Sequence, residues 1–156
     1  MKKFSSVTSL SFLVLFLIVS CVSSSAKLVK SGDGNDWMKF DDNDYGNYSY
    51  KIVNIDKDGG KHIVQVWEKH VFSDKGREKY IQGMTKKEFP TEGYDKLSVF
   101  KGLYEIDCKK QMKKTLCMMT YDKDGNVLDS KDYKEPEWDY VVPDTMGDIL
   151  RTKICK

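Results

Sequence analysis

Histidine occurs only twice, proline three times and cysteine four times in the 156 residues, and the longest apolar stretch runs only from Leu10 to Val19. Each shortage excludes something. His62 and His70 fall in one expected strand, about 26 Å apart at strand rise, so a shared metal or acid–base role between them is not expected. There is no glycine-rich phosphate loop, no serine elbow and no cysteine placed locally with a histidine. An enzyme is therefore not expected, and neither is a cofactor or a metal. An apolar stretch of about 10 residues spans roughly 15 Å as a helix, half of a bilayer's hydrocarbon core, so a permanent transmembrane helix is not expected either.

Charge of one sign is also lacking. The full chain carries a formal net charge of +2, but residues 1–20 hold two lysines and no acid. From Cys21 onward the bases and acids balance, and the basic footprint of a nucleic-acid partner is missing.

What is present begins with Met1-Lys2-Lys3 and the short apolar run, the pattern of an export signal over residues 1–20. Its end, Ile18-Val19-Ser20-Cys21, has the order of a bacterial lipobox: aliphatic residues, a small residue, then the cysteine whose thiol takes the diacylglycerol. Palmitate-type acyl chains on Cys21 would anchor the protein to a membrane. Val22, rather than Asp, follows the cysteine, which favours sorting to an outer membrane. The alternative is ordinary cleavage after Ser24-Ser25-Ala26. Residues 21–36 are rich in Ser, Gly and Asp and read as a tether. Residues 37–156 are the right length for one domain with one core.

Within that domain YSYKIVNI (48–55) and KHIVQVWEKHVF (61–72) flank DKDGG, a hairpin pattern. SDKGR (73–77) reads as a second turn leading into EKYIQ, and residues 83–96, rich in Gly, Pro and charge, read as a loop. LSVFKGLYEIDC (97–108) and MKKTLCMMTYD (112–122) pair across a short connection, and DKDGN turns the chain into VLDSKDY. Asp122 to Asn126 suggests a calcium loop only superficially, because Gly sits fourth and Tyr133 stands where the late Glu belongs. Asp41-Asp42-Asn43-Asp44 reads as a solvated acidic loop. At the end, Pro143 stops a strand, Asp144 or Thr145 can cap, and Met146, Ile149, Leu150 and Ile154 share a helical face. The expected fold class is α+β: a single antiparallel sheet of about six strands with an amphipathic C-terminal helix on one face.

With Cys21 acylated, three cysteines remain for an oxidising compartment. Bridging Cys108 to Cys155 would staple helix to sheet; a Cys108 to Cys117 link across the hairpin is the alternative. The first closes a loop of about 48 residues, worth about 4 kcal/mol. Cys117, in the apolar LCMM, would then be a buried thiol.

The ordered set Trp37, VQVWEKHVFSDKGREKYI, LYEIDCKK, TYDKDGNVLDS and EWDYVVPDTMGDILRTKIC resembles the surface-adhesin protein E family of bacterial lipoproteins, over about residues 36–156. The resemblance implies an antiparallel sheet whose C-terminal helix is held by a disulfide, hence Cys108 with Cys155. The family name implies adhesion to host matrix proteins. Lys109, Lys110, Lys113 and Lys114 in KKQMKK form the candidate patch for an extracellular-matrix protein or an anionic glycan; the alternative is a solvated turn whose charges guard a sheet edge. Trp67 and Trp138 are further candidate anchors, though aromatics this near strand centres usually belong to a core. Two functions remain: a surface-exposed adhesin, or a periplasm-facing envelope lipoprotein with a structural or assembly role.

Overall fold

The computed structural model describes residues 36–156. The expected signal, Cys21 and the expected tether up to residue 35 lie outside the described residues. Period-2 patterning builds seven strands: β1 (Met38–Asn43), β2 (Gly46–Asp56), β3 (Ile63–Phe72), β4 (Leu97–Asp107), β5 (Met112–Asp122), β6 (Val127–Asp132) and β7 (Trp138–Tyr140). They form one antiparallel sheet in chain order from β1 to β6, with β7 also on β5. β6 pairs with Cys117–Tyr121 and β7 with Met112–Lys114, so two short strands share one edge of β5.

Two helices complete the α+β fold: α1 (Asp74–Lys86) and α2 (Met146–Ile154). α2 lies where the sequence places it, with the Thr145 hydroxyl accepting from the Asp148 N–H. α1 corrects the expectation of a turn and a loop. The Ser73 hydroxyl caps it by accepting from the Gly76 N–H, Asp74 supplies an acid to the first turn and Lys86 a base to the last. Tyr80 fastens the helix, packing edge-on against Phe72 with centroids 5.2 Å apart. Gly76 and Gly83 mask this helix in the sequence, yet Gly76 is required. A Cβ there would sit 1.9 Å from the Tyr45 carbonyl oxygen, because the first turn of α1 rests directly on the β1–β2 turn.

The core lies on the helix-covered face. Leu150 and Ile154 of α2 are buried against Phe40, Tyr48, Val64, Val66, Tyr104 and Ile106, with Met146 and Ile149 packed alongside. Burying a residue such as Leu150 is worth about 1.5–3 kcal/mol, so the helix is held chiefly by this face. A disulfide reinforces it: Cys108, just past β4, is bonded to Cys155, with Cα atoms 5.4 Å apart. Cys117 is buried, 1 % exposed, but the expected free thiol is not found: no described cysteine is free.

Candidate functional site

The four candidate lysines follow from the local geometry of the β4–β5 turn. The Asp107 carboxylate accepts from the backbone N–H groups of Lys109 and Lys110, each at 3.0 Å, and so fixes the turn. Lys109 and Lys110 are exposed at its tip, and the Lys109 ammonium donates to the Gly60 carbonyl. The next two lysines enter β5 and alternate across the sheet. Lys113 turns to the helix-covered face, its Nζ 4.4 Å from the Tyr104 ring centroid. Lys114 turns to the other face, paired to Glu105 at 2.6 Å and 4.8 Å from the centre of the Trp138 ring. The structure thus brings Lys109 and Lys110 together and separates Lys113 from Lys114. Trp67 and Trp138 are half-buried, neither in the core nor fully exposed.

Beside this turn runs β7, which places Tyr140 opposite Met112. Tyr140 is 78 % exposed and Val142 62 %, and the Val141 N–H donates to the Gln111 carbonyl at 2.9 Å. Basic and large apolar groups therefore meet at one end of the sheet, a combination suited to a protein or glycan partner.

A second site, which the sequence reading did not find, lies between the two helices. β3 alternates so that Val64, Val66, Glu68 and His70 all point to the helix-covered face. The first two fill the core; the last two are polar. Glu68 is 8 % exposed and His70 9 %. They border an open cleft of about 320 Å³ that is also lined by Gly76, Lys79 and Tyr80 of α1 and by Met146 of α2. The His70 Nε2 lies 3.1 Å from the Tyr45 carbonyl oxygen, which can only accept, so Nε2 carries a proton. Burial lowers the pKa of His70, and the bond to Tyr45 opposes this only in part.

Glu68 stands opposite Gly102, over which the Tyr104 hydroxyl lies so closely that a Cβ on Gly102 would approach it to 2.3 Å. Burial raises the Glu68 pKa, and the positive charge of Lys113 offsets this in smaller part; no hydrogen bond contributes. Among the described residues no ion pair reaches the carboxylate. Tyr104 is pushed well above the ordinary phenol range, first by burial and then by the Glu68 charge. Tyr80 is pushed up to about 12, again chiefly by burial. The period-2 continuation of the inward positions Val64 and Val66 onto Glu68 and His70 was the available signal.

The two other candidate cation sites resolve into local contacts. The Asp122 carboxylate accepts from the Asp124 and Asn126 N–H groups and the Asn126 side chain, and its pKa is lowered chiefly by that side chain. In the acidic stretch Asp42 pairs with Lys39 in β1, and Asp44 with Lys75 at 2.6 Å. Among the described residues no group of three or more His, Cys, Asp or Glu is placed to hold a metal ion.

The chain matches one family model, surface-adhesin protein E, over residues 37–156. The chain belongs to the surface-adhesin protein E family. No curated protein and no solved structure is similar enough to match. Membership in this family makes the chain a surface-adhesin-like protein of the cell surface or envelope.

Proposed function

We propose that the chain is an outer-membrane lipoprotein, anchored by acyl chains on Cys21, that acts by binding rather than catalysis. Its partner is an extracellular-matrix protein or an anionic glycan, met by the lysines of the β4–β5 turn. The observation that carries this reading is the exposure of Tyr140, 78 %, beside the exposed Lys109 and Lys110. An exposed aromatic next to a basic turn supplies an anchor and a charge at one place.

Two experiments test it. Changing Lys109, Lys110, Lys113 and Lys114 together to Gln in the full chain, with Tyr140→Ala as a separate variant, should weaken binding to heparin and to matrix-coated surfaces. The lysine variant should also flatten the salt dependence, since exposed charges are screened within about 8 Å at physiological salt. Undiminished binding by both variants would place the adhesive surface elsewhere. Cys21→Ser should release the protein from the membrane fraction, and unchanged partitioning would defeat the anchor. Protease shaving of intact cells should remove the domain; protection would favour a periplasm-facing role in the envelope.

A further inference from the structure

The cavity between α1 and α2 combines an apolar, aromatic wall with one carboxylate that has no partner. Its wall is made by Tyr45, Tyr48, His70, Phe72, Tyr80 and Phe100, with the Met146 thioether closing one side. The rings form a continuous series: Tyr48 stacks on His70 at 4.0 Å, His70 meets Phe72 at 3.9 Å, and Phe72 meets Tyr80 at 5.2 Å. Glu68, 8 % exposed, is part of the same lining. No fully buried side-chain oxygen of the described residues lacks a hydrogen bond, so the Glu68 oxygens, which make none, keep an opening toward the cavity, where a cation would meet them. The lining already holds one contact between an ammonium and a ring. The Lys79 ammonium sits 4.1 Å from the centre of the Tyr45 ring and donates to the Tyr45 hydroxyl at 2.9 Å.

We propose that this cavity binds an alkylammonium group, a protonated amine on an apolar stem, with the ammonium at Glu68 and the stem against the aromatic wall. The chemistry is that of an aromatic cleft completed by a carboxylate, in which a cation gains from both the ring faces and the charge. A volume of about 320 Å³ accommodates a small amine or the end of a lysine side chain, not a nucleotide or a sugar chain. The positive groups near the site are Lys79 and Lys75, both over the Tyr45 ring, Lys113 over Tyr104, and His70 when protonated. None of them pairs with Glu68, so the carboxylate is available to the ligand. The inference is independent of the lysine turn and of the partner met there.

The test is a titration of the full-length chain, purified in detergent, with n-pentylammonium, 1-pentanol and pentanoate. The reporter is the ¹³C-methyl resonance of Met146, assigned by its loss in Met146→Leu. Pentylammonium should shift this resonance saturably and bind at least about ten-fold more tightly than 1-pentanol. Pentanoate should not bind. Glu68→Gln, which keeps the shape and removes the charge, should abolish the preference of amine over alcohol. Its unfolding midpoint should equal or exceed the wild type's, which separates lost recognition from lost folding. Equal affinity for alcohol and amine in the wild type, a preference that survives in Glu68→Gln, or no shift at Met146 with pentylammonium would each overturn the proposal.

Discussion

The imidazole of His70 lies flat on the ring of Tyr48, centroids 4.0 Å apart and planes 16° from parallel, while its Nε2 donates to the Tyr45 carbonyl. Burial holds the folded-state pKa of this ring below the ordinary 6.5. The unfolded chain therefore binds its proton first as pH falls, and stability contributed by neutral His70 is lost as pH drops from about 6.5 toward the folded value. Urea midpoints measured between about pH 7.5 and about pH 5.5 should fall less steeply for His70→Gln than for the wild type. The glutamine keeps a donor for Tyr45 but cannot titrate. An identical slope in the two proteins would show that His70 is not charged on unfolding.

Two residues earlier on the same face, Glu68 works in the opposite direction. Its folded pKa is raised above 4.5, so its contribution is fully present below the unfolded value and is lost as pH rises through the folded one. Without a bound ligand, Glu68→Gln should be more stable than the wild type at neutral pH, and the gain should shrink as pH falls toward about 4.5. A pH series of unfolding midpoints decides this. A variant less stable at neutral pH would mean that the carboxylate makes a stabilising contact when ionised.

The glycines of α1 should respond with opposite signs. Gly76→Ala pushes a Cβ to 1.9 Å from the Tyr45 carbonyl oxygen, so the helix start must lift from the β1–β2 turn; a loss of about 2 kcal/mol or more is expected. Gly83 lies within the same helix with nothing within 4 Å of an added Cβ, and Gly83→Ala should stabilise by about 0.5–1 kcal/mol. Thermal unfolding of the two variants checks the pair. Equal effects would contradict the contact between α1 and the turn.

Removing the disulfide by Cys108→Ser with Cys155→Ser should lower stability by about 4 kcal/mol, read as a reduced urea midpoint. Non-reducing peptide mapping of the wild type should recover EIDC linked to TKIC. A Cys108 to Cys117 peptide in its place would refute the staple.

Much of the sheet was legible because its strands bury one face and obey the period-2 rule. The hairpin around residues 56–60, the pairing of 97–108 with 112–122 and the capped helix after Thr145 all follow from local pattern. β1 was missed because its acids suggest a loop; its place comes from pairing with β2, a tertiary effect. α1 was missed because two glycines and a run of charges outweigh Tyr80, Ile81 and Met84, and because its cap at Ser73 also reads as a turn. The aromatic cavity was not legible for a different reason. Its walls come from Tyr45, Tyr80, Phe100 and Met146, on four segments that only the fold brings together, and Glu-Lys-His within β3 looks like a solvated stretch. The lysine run was visible, but strand alternation sends Lys113 and Lys114 to opposite faces.

The bond between Cys108 and Cys155 also sets the mechanical load path. Tension applied between the N-terminal side of β1 and Lys156 enters at Cys155 and passes directly to Cys108, bypassing β5, β6, β7 and α2. The 47-residue separation spanned by the bond hides about 160 Å of contour length from the pull. β1, an edge strand paired only with β2, is the element such a force peels first. A domain pulled between these two points would therefore yield at its N-terminal edge and keep the β4–β5 turn intact.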